Sequence, residues 1–159
     1  MKRLLTTVAA TLLVASSQAG LLGQDAPRQE IDVEPPGQFD LNTAEAFEMP
    51  GDQRLRYAVV PETLQIGDDG LLRYVLVATS SGGGQNVLFE ALDCKRGEHK
   101  TLARWSSYQK RWTPVQTPNW EALSEARSVA SQVLANGIFC HNNLVLGSRE
   151  QMLRELKRQ

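Results

Sequence analysis

The chain is short of the features that would announce a chemistry. It has no surplus of positive charge: 17 Lys and Arg stand against 18 Asp and Glu, a net charge of -1. That excludes a nucleic-acid partner as the expectation, because phosphate backbones are held by a basic field. Histidine occurs only twice, as His99 and His141, and neither stands at zinc-finger spacing from a cysteine. No metal site is expected. No Gly-x-Ser-x-Gly elbow, zinc-protease motif, phosphate loop or dinucleotide fingerprint occurs, so no catalytic residue and no cofactor is assigned. The expectation is a protein that is not an enzyme. After the N-terminus, no apolar run approaches the roughly 20 residues that a membrane-spanning helix needs.

Cysteine is scarce too: there is only Cys94 and Cys140. Their meaning depends on the compartment, and the N-terminus supplies one. Lys2-Arg3 is followed by a short apolar run over residues 4–15, then by the small residues of Ser17-Gln18-Ala19. This is the order of a secretory signal peptide, here residues 1–19, with cleavage after Ala19. Taking Lys2 and Arg3 from the 17 basic residues leaves 15 against 18 acidic ones, a net of -3 for the mature chain. No cysteine follows the apolar run to carry a lipid. The mature chain is expected to be soluble and exported, without a transmembrane segment. In an oxidising compartment, two cysteines too distant for a Cys-x-x-Cys redox motif point to a structural disulfide, Cys94–Cys140. Two buried thiols or a metal site are the alternatives.

The chain is rich in strand signals. Residues 20–50 carry Pro27, Pro35, Pro36, Gly37 and Pro50 among acidic and polar residues, and are read as an irregular N-terminal arm. Phe39, Leu41, Phe47 and Met49 are its few apolar anchors. A first strand over residues 54–60 is expected to stop at Pro61. Leu64-Gln65-Ile66 can form a short strand into Asp69-Gly70, a favoured turn. Residues 71–79 and 87–93 then read as a hairpin around the glycine-rich loop 80–86. Tyr74, Leu76 and Ala78 point one way; Arg73, Val75, Val77 and Thr79 point the other. Apolar residues on both faces imply that both are covered. A loop centred near Gly83 would set Arg73 opposite Asp93 and Leu76 opposite Glu90, making Arg73, Glu90 and Asp93 a polar cluster. Ser80-Ser81-Gly82-Gly83-Gly84 could offer amides to an anion, but no helix follows to add its dipole, and it is read as a hairpin loop. Residues 99–105 form a further strand, and Gln109-Lys110-Arg111 turns back towards Trp112. Trp105, Trp112 and Trp120, close to Lys110 and Arg111, form a candidate aromatic surface that could stack on sugars.

Thr117-Pro118 looks like a helix start. Trp120, Leu123, Val129, Ala130, Val133 and Leu134 recur at helical spacing, and Asn136-Gly137 ends the run. Ser148 with Gln151 predicts a capping box and a short terminal helix. The expected fold is α+β: a mainly antiparallel meander of about four to five strands packed against one long C-terminal helix, with the short terminal helix after it. Residues 51–147 would form the domain and 148–159 the terminal helix.

Asp69-Gly70, Leu72-Arg73-Tyr74, Leu76-Val77, Ser80-Ser81, Asn86-Val87, Phe89-Glu90 and Cys94 together resemble the cryptic neisserial protein one-like (CNP-like) family. Trp112, Trp120 and Phe139-Cys140 extend the likeness over roughly residues 45–140. The resemblance implies an exported protein of Gram-negative bacteria, hence a periplasmic address, and brings no activity with it. The leading expectation is a non-enzymatic module that binds or assembles a cell-envelope protein or glycan. The rivals are an envelope hydrolase working through Arg73, Asp93 and Glu90 or through His99, and a carbohydrate or small-ligand binder using the tryptophans.

Overall fold

The computed structural model describes residues 27–51, 54–125 and 129–159. The expected signal peptide and its cleavage after Ala19 lie outside the described residues. A short 3-10 turn, Leu41–Thr43, leads into β1 (Glu45–Phe47). Then follow β2 (Leu55–Ile66), β3 (Leu72–Ser80), β4 (Gln85–Asp93), β5 (Glu98–Ser106), β6 (Arg111–Pro114) and β7 (Glu121–Ala122). The C-terminal part holds α1 (Val129–Val133), a widened turn over Leu134–Ile138, β8 (Cys140–His141), β9 (Leu144–Val145) and α2 (Arg149–Leu156). Strands β1 to β6 pair antiparallel in chain order, and β7 adds to β5. β8 and β9 form a separate two-stranded sheet.

The meander matches expectation, but its size and the long helix do not. The large sheet has seven strands, and the described helices are two short ones. Where one long helix was expected, Glu121 pairs with His99 and Ala122 with Glu98, and the Leu123 amide donates to the Gly97 carbonyl at 2.8 Å. Those sheet bonds take the backbone groups a helix would need. Helical propensity is a few tenths of a kcal/mol per residue, a weak prior that tertiary pairing overrides. The Asn136-Gly137 stop does hold: Gly137 has φ 102° inside the widened turn.

Pro61 does not stop its strand. β2 runs through it by bulging between Val60 and Gln65. The Thr63 hydroxyl donates to the Val60 carbonyl at 2.7 Å and accepts from the Val75 amide at 2.9 Å, replacing ladder bonds the bulge removes. Pro61 and Leu64 carbonyls freed by the bulge accept from Arg149, at 2.7 and 3.0 Å. Arg149 is the first residue of α2, so the terminal helix is tied to the sheet by its own N-terminus. Ser148 and Gln151 complete the expected capping box.

Both sheet faces are covered, as the apolar alternation requires. On one, Val59, Leu64, Leu72, Tyr74 and Leu92 pack beneath Ala130, Leu134, Phe139, Met152 and Leu156. On the other, Val60, Val75, Val77, Val87, Phe89 and Ala103 pack beneath Val33, Phe39, Leu41 and Ala44 of the arm. The arm is irregular in conformation but firmly attached. The Ile31 amide donates to Asp69 at 2.9 Å, and the Trp112 indole donates to the Pro36 carbonyl at 2.9 Å. Arg28 pairs with Asp93 and Glu98, and Glu30 with Lys100. Cys94, just after β4, is joined to Cys140 at the start of β8, with the two Cα atoms 5.6 Å apart.

Candidate ligand-binding groove

The expected polar cluster is dispersed. The β3–β4 loop is centred on Gly82, so Arg73 faces Ala91 and Tyr74 faces Glu90. Residues paired across strands share a face, so Arg73 and Glu90 stand on opposite sides of the sheet. Arg73 donates to Asp69 through Nη1 and Nη2, at 3.0 and 2.6 Å, and through Nη2 to the Ile31 carbonyl at 2.8 Å. Burial pushes the Asp69 carboxyl up, but the Arg73 hydrogen bonds, the Ile31 and Leu71 amides and the Arg73 charge overcome it and hold it down to about 2. Asp93 binds Arg28 at 2.9 Å and Arg96 at 3.3 Å.

The tryptophans are divided as well. Trp105 and Trp112 pair across β5 and β6, edge to face, with centroids 5.3 Å apart. Phe39 of the arm closes on both, at 5.0 and 5.4 Å. Trp120 stands elsewhere, with the Arg28 guanidinium 3.7 Å from its ring centroid and the Lys100 ammonium 4.8 Å away. Its indole donates to Glu30 at 3.2 Å. These rings anchor the arm and do not share one surface.

Glu90 occupies a different setting. It lies on the helix-covered face, in line with Leu88 and Leu92, and is 1% exposed. Its Oε2 accepts from the Ser131 hydroxyl at 3.1 Å and the Tyr74 hydroxyl at 3.3 Å. Burial pushes the Glu90 carboxyl up to about 7; hydrogen bonds from Ser131, Tyr74 and Thr101 and the Arg104 charge keep it from going higher. Tyr74 is pushed well up by its own burial and by the Glu90 charge beside it.

Towards the β3–β4 hairpin end of the sheet this face carries a groove of about 390 Å³. Leu76, Ala78 and Leu88 line it with Leu55 and Tyr57. Its polar lining is Glu90, His99, Thr101, Arg104, Glu121 and Asn86. His99 is 5% exposed, and neither ring nitrogen has a hydrogen-bond partner among the described residues. Burial pushes its pKa down, opposed by the Glu121 carboxylate, so the imidazole is neutral near pH 7. A neutral imidazole has one donor and one acceptor. Leaving both unmet costs about 1–3 kcal/mol each, so a group that meets them in the groove is favoured. A smaller cavity of about 170 Å³ shares His99, Thr101, Arg104 and Glu121 with the groove.

Glu90 and His99 are diagonal neighbours across β4 and β5, Glu90 opposite Thr101 and His99 opposite Leu92. Tyr74, Thr101, Arg104, Glu121 and Ser131 complete the site and were not singled out from the sequence. The available signal was Glu90 itself, an acid at a position whose alternation is apolar. Among the described residues no three His, Cys, Asp or Glu side chains come together to hold a metal ion.

Fold and groove define the class: a disulfide-closed, antiparallel-sheet domain with a half-apolar groove on its helix-bearing face. The chain matches the model of the CNP1-like family over residues 23–157, and it belongs to that family. No curated protein and no solved structure matches it. Among the described residues no helix is long and apolar enough to cross a membrane.

Proposed function

We propose that the chain is a periplasmic, non-enzymatic binding module of the Gram-negative envelope, holding a small amphipathic ligand in the groove on its helix-bearing face. The observation that carries this reading is His99, buried against the groove with both ring nitrogens unmet among the described residues. An apolar part of the ligand lies along Leu76, Ala78 and Leu88, and its polar end reaches His99 and Arg104. Glu90 supports binding more than turnover, because Tyr74 and Ser131 already occupy its carboxyl oxygen. Thermal-shift titration with dodecanoate, dodecylamine and dodecyl glucoside tests the idea. At least one is expected to raise the Tm of the wild type and not that of Ala78→Trp, which fills the floor. No shift with any of them, or equal shifts in the variant, counts against it.

A hydrolase is the second reading, favoured by two groups with displaced titration, Glu90 and His99, in one groove. It predicts turnover of an envelope ester or glycoside that Glu90→Gln abolishes. The address is tested separately: mass spectrometry of the periplasmic fraction is expected to find a mature chain starting at Gly20. A chain retaining residues 1–19 overturns it.

A further inference from the structure

A second site lies at the same hairpin end of the sheet as the groove, with Arg56 and Thr79 on the opposite face from Tyr57 and Ala78. Arg54 just precedes β2 and Arg56 is its second residue, and both border one pocket. The β2–β3 register puts Arg56 opposite Thr79 and Leu55 opposite Ser80, at the mouth of the glycine-rich loop. A pocket of about 600 Å³ is bounded by Arg54, Arg56, Thr79, Ser80, Ser81 and Gly83. Every wall is a guanidinium, a hydroxyl or a glycine. Neither arginine forms an ion pair among the described residues; the β1–β2 register, carried one residue past β1, would set Glu48 opposite Arg56, and no ion pair joins the two.

The loop backbone adds donors. Ser80 holds the turn: its amide donates to the Gly84 carbonyl, its carbonyl accepts from the Gly83 amide and its hydroxyl from the Gly84 amide. The Ser81 amide, at the edge of the pocket, then has no partner among the described residues. A Cβ built on Gly82 or Gly83 would meet nothing within 4 Å, so the backbone is open to a ligand. Two guanidiniums offer planar, charge-assisted donors, and the unbonded Ser81 amide beside them adds a further donor to an anion. The matching ligand is compact, multiply charged and rich in acceptors.

We propose that this pocket binds a phosphate-type oxyanion, either free phosphate or the phosphate of a lipid headgroup. The two sources share the same chemistry and are separated by experiment. The full mature chain is titrated with inorganic phosphate by calorimetry at low ionic strength. It is also floated with vesicles of phosphatidylcholine, with and without phosphatidic acid. Binding in either arm is expected, with a loss of at least about tenfold in the Arg54→Gln/Arg56→Gln double variant. Both side chains are exposed, so the fold is kept, and circular dichroism checks this. Glu48→Gln is expected to bind more tightly, and Arg154→Gln, which removes an exposed charge on α2, to bind as wild type does. Binding to phosphate identifies a free oxyanion; binding only to phosphatidic acid vesicles identifies a headgroup. Wild type that binds neither, or a double variant that binds equally well, overturns the proposal.

Discussion

Glu90 makes the pH dependence of this protein unusual for a carboxylate. Its folded-state pKa of about 7 lies above the ordinary 4.5, so folding favours the protonated form. The sign follows: Glu90's contribution to stability is fullest below about pH 4.5, falls as the unfolded state ionises first, and levels off above about pH 7. The fall amounts to roughly 3 kcal/mol. Glu90→Gln is expected to remove it. Urea unfolding should then find the variant's advantage over wild type growing from pH 5 to pH 8. Asp69 behaves in the opposite sense. Its side chain is 1% exposed and that of Arg73 3%, and removing the charge of one partner strands the other. Asp69→Asn is expected to cost about 3–5 kcal/mol in the same assay at neutral pH. The sequence made Arg73 and Glu90 conspicuous but mispartnered them. Centring the loop on Gly83 instead of Gly82 displaces every cross-strand partner by two positions. Ser131 comes from another layer, which strand register cannot reveal.

Among the elements, the strands were legible wherever β-branched and aromatic residues alternated between turn residues. Their boundaries failed where a side chain repaired the backbone, as Thr63 does beyond Pro61. The long helix failed because periodicity does not say which backbone partner wins. Trp120 and Leu123 keep helical spacing with Ala130 and Leu134, yet one ring stacks on Arg28 and the other residue's amide bonds to Gly97. α2 was legible from its capping box, but its anchor on the bulge was not. Arg149→Ala leaves the Pro61 and Leu64 carbonyls without that donor, and is expected to cost about 1–3 kcal/mol. Amide hydrogen exchange should show α2 opening first, with β3 and β4 protected almost as before.

At the scale of the molecule, the sheet is closed on one side by the C-terminal helices and on the other by the arm. The disulfide fastens the first of these. Replacing both cysteines by serine is expected to lower stability by about 4 kcal/mol on the chain-entropy model. The arm's hold is tested at Phe39. Phe39→Ala is expected to cost roughly 1–3 kcal/mol and to shift tryptophan emission to longer wavelength as Trp105 and Trp112 meet water. Unchanged emission would mean that the arm does not shelter them in solution.

The partners of the arm are far away along the chain: Arg28 is 65 residues from Asp93, Pro36 is 76 from Trp112, and Glu30 is 90 from Trp120. Such contacts form slowly, because distant segments have to meet before either gains anything. The described part of the arm therefore cannot complete its contacts until residues 93–120 have been made, which sets the closing of that face late in folding.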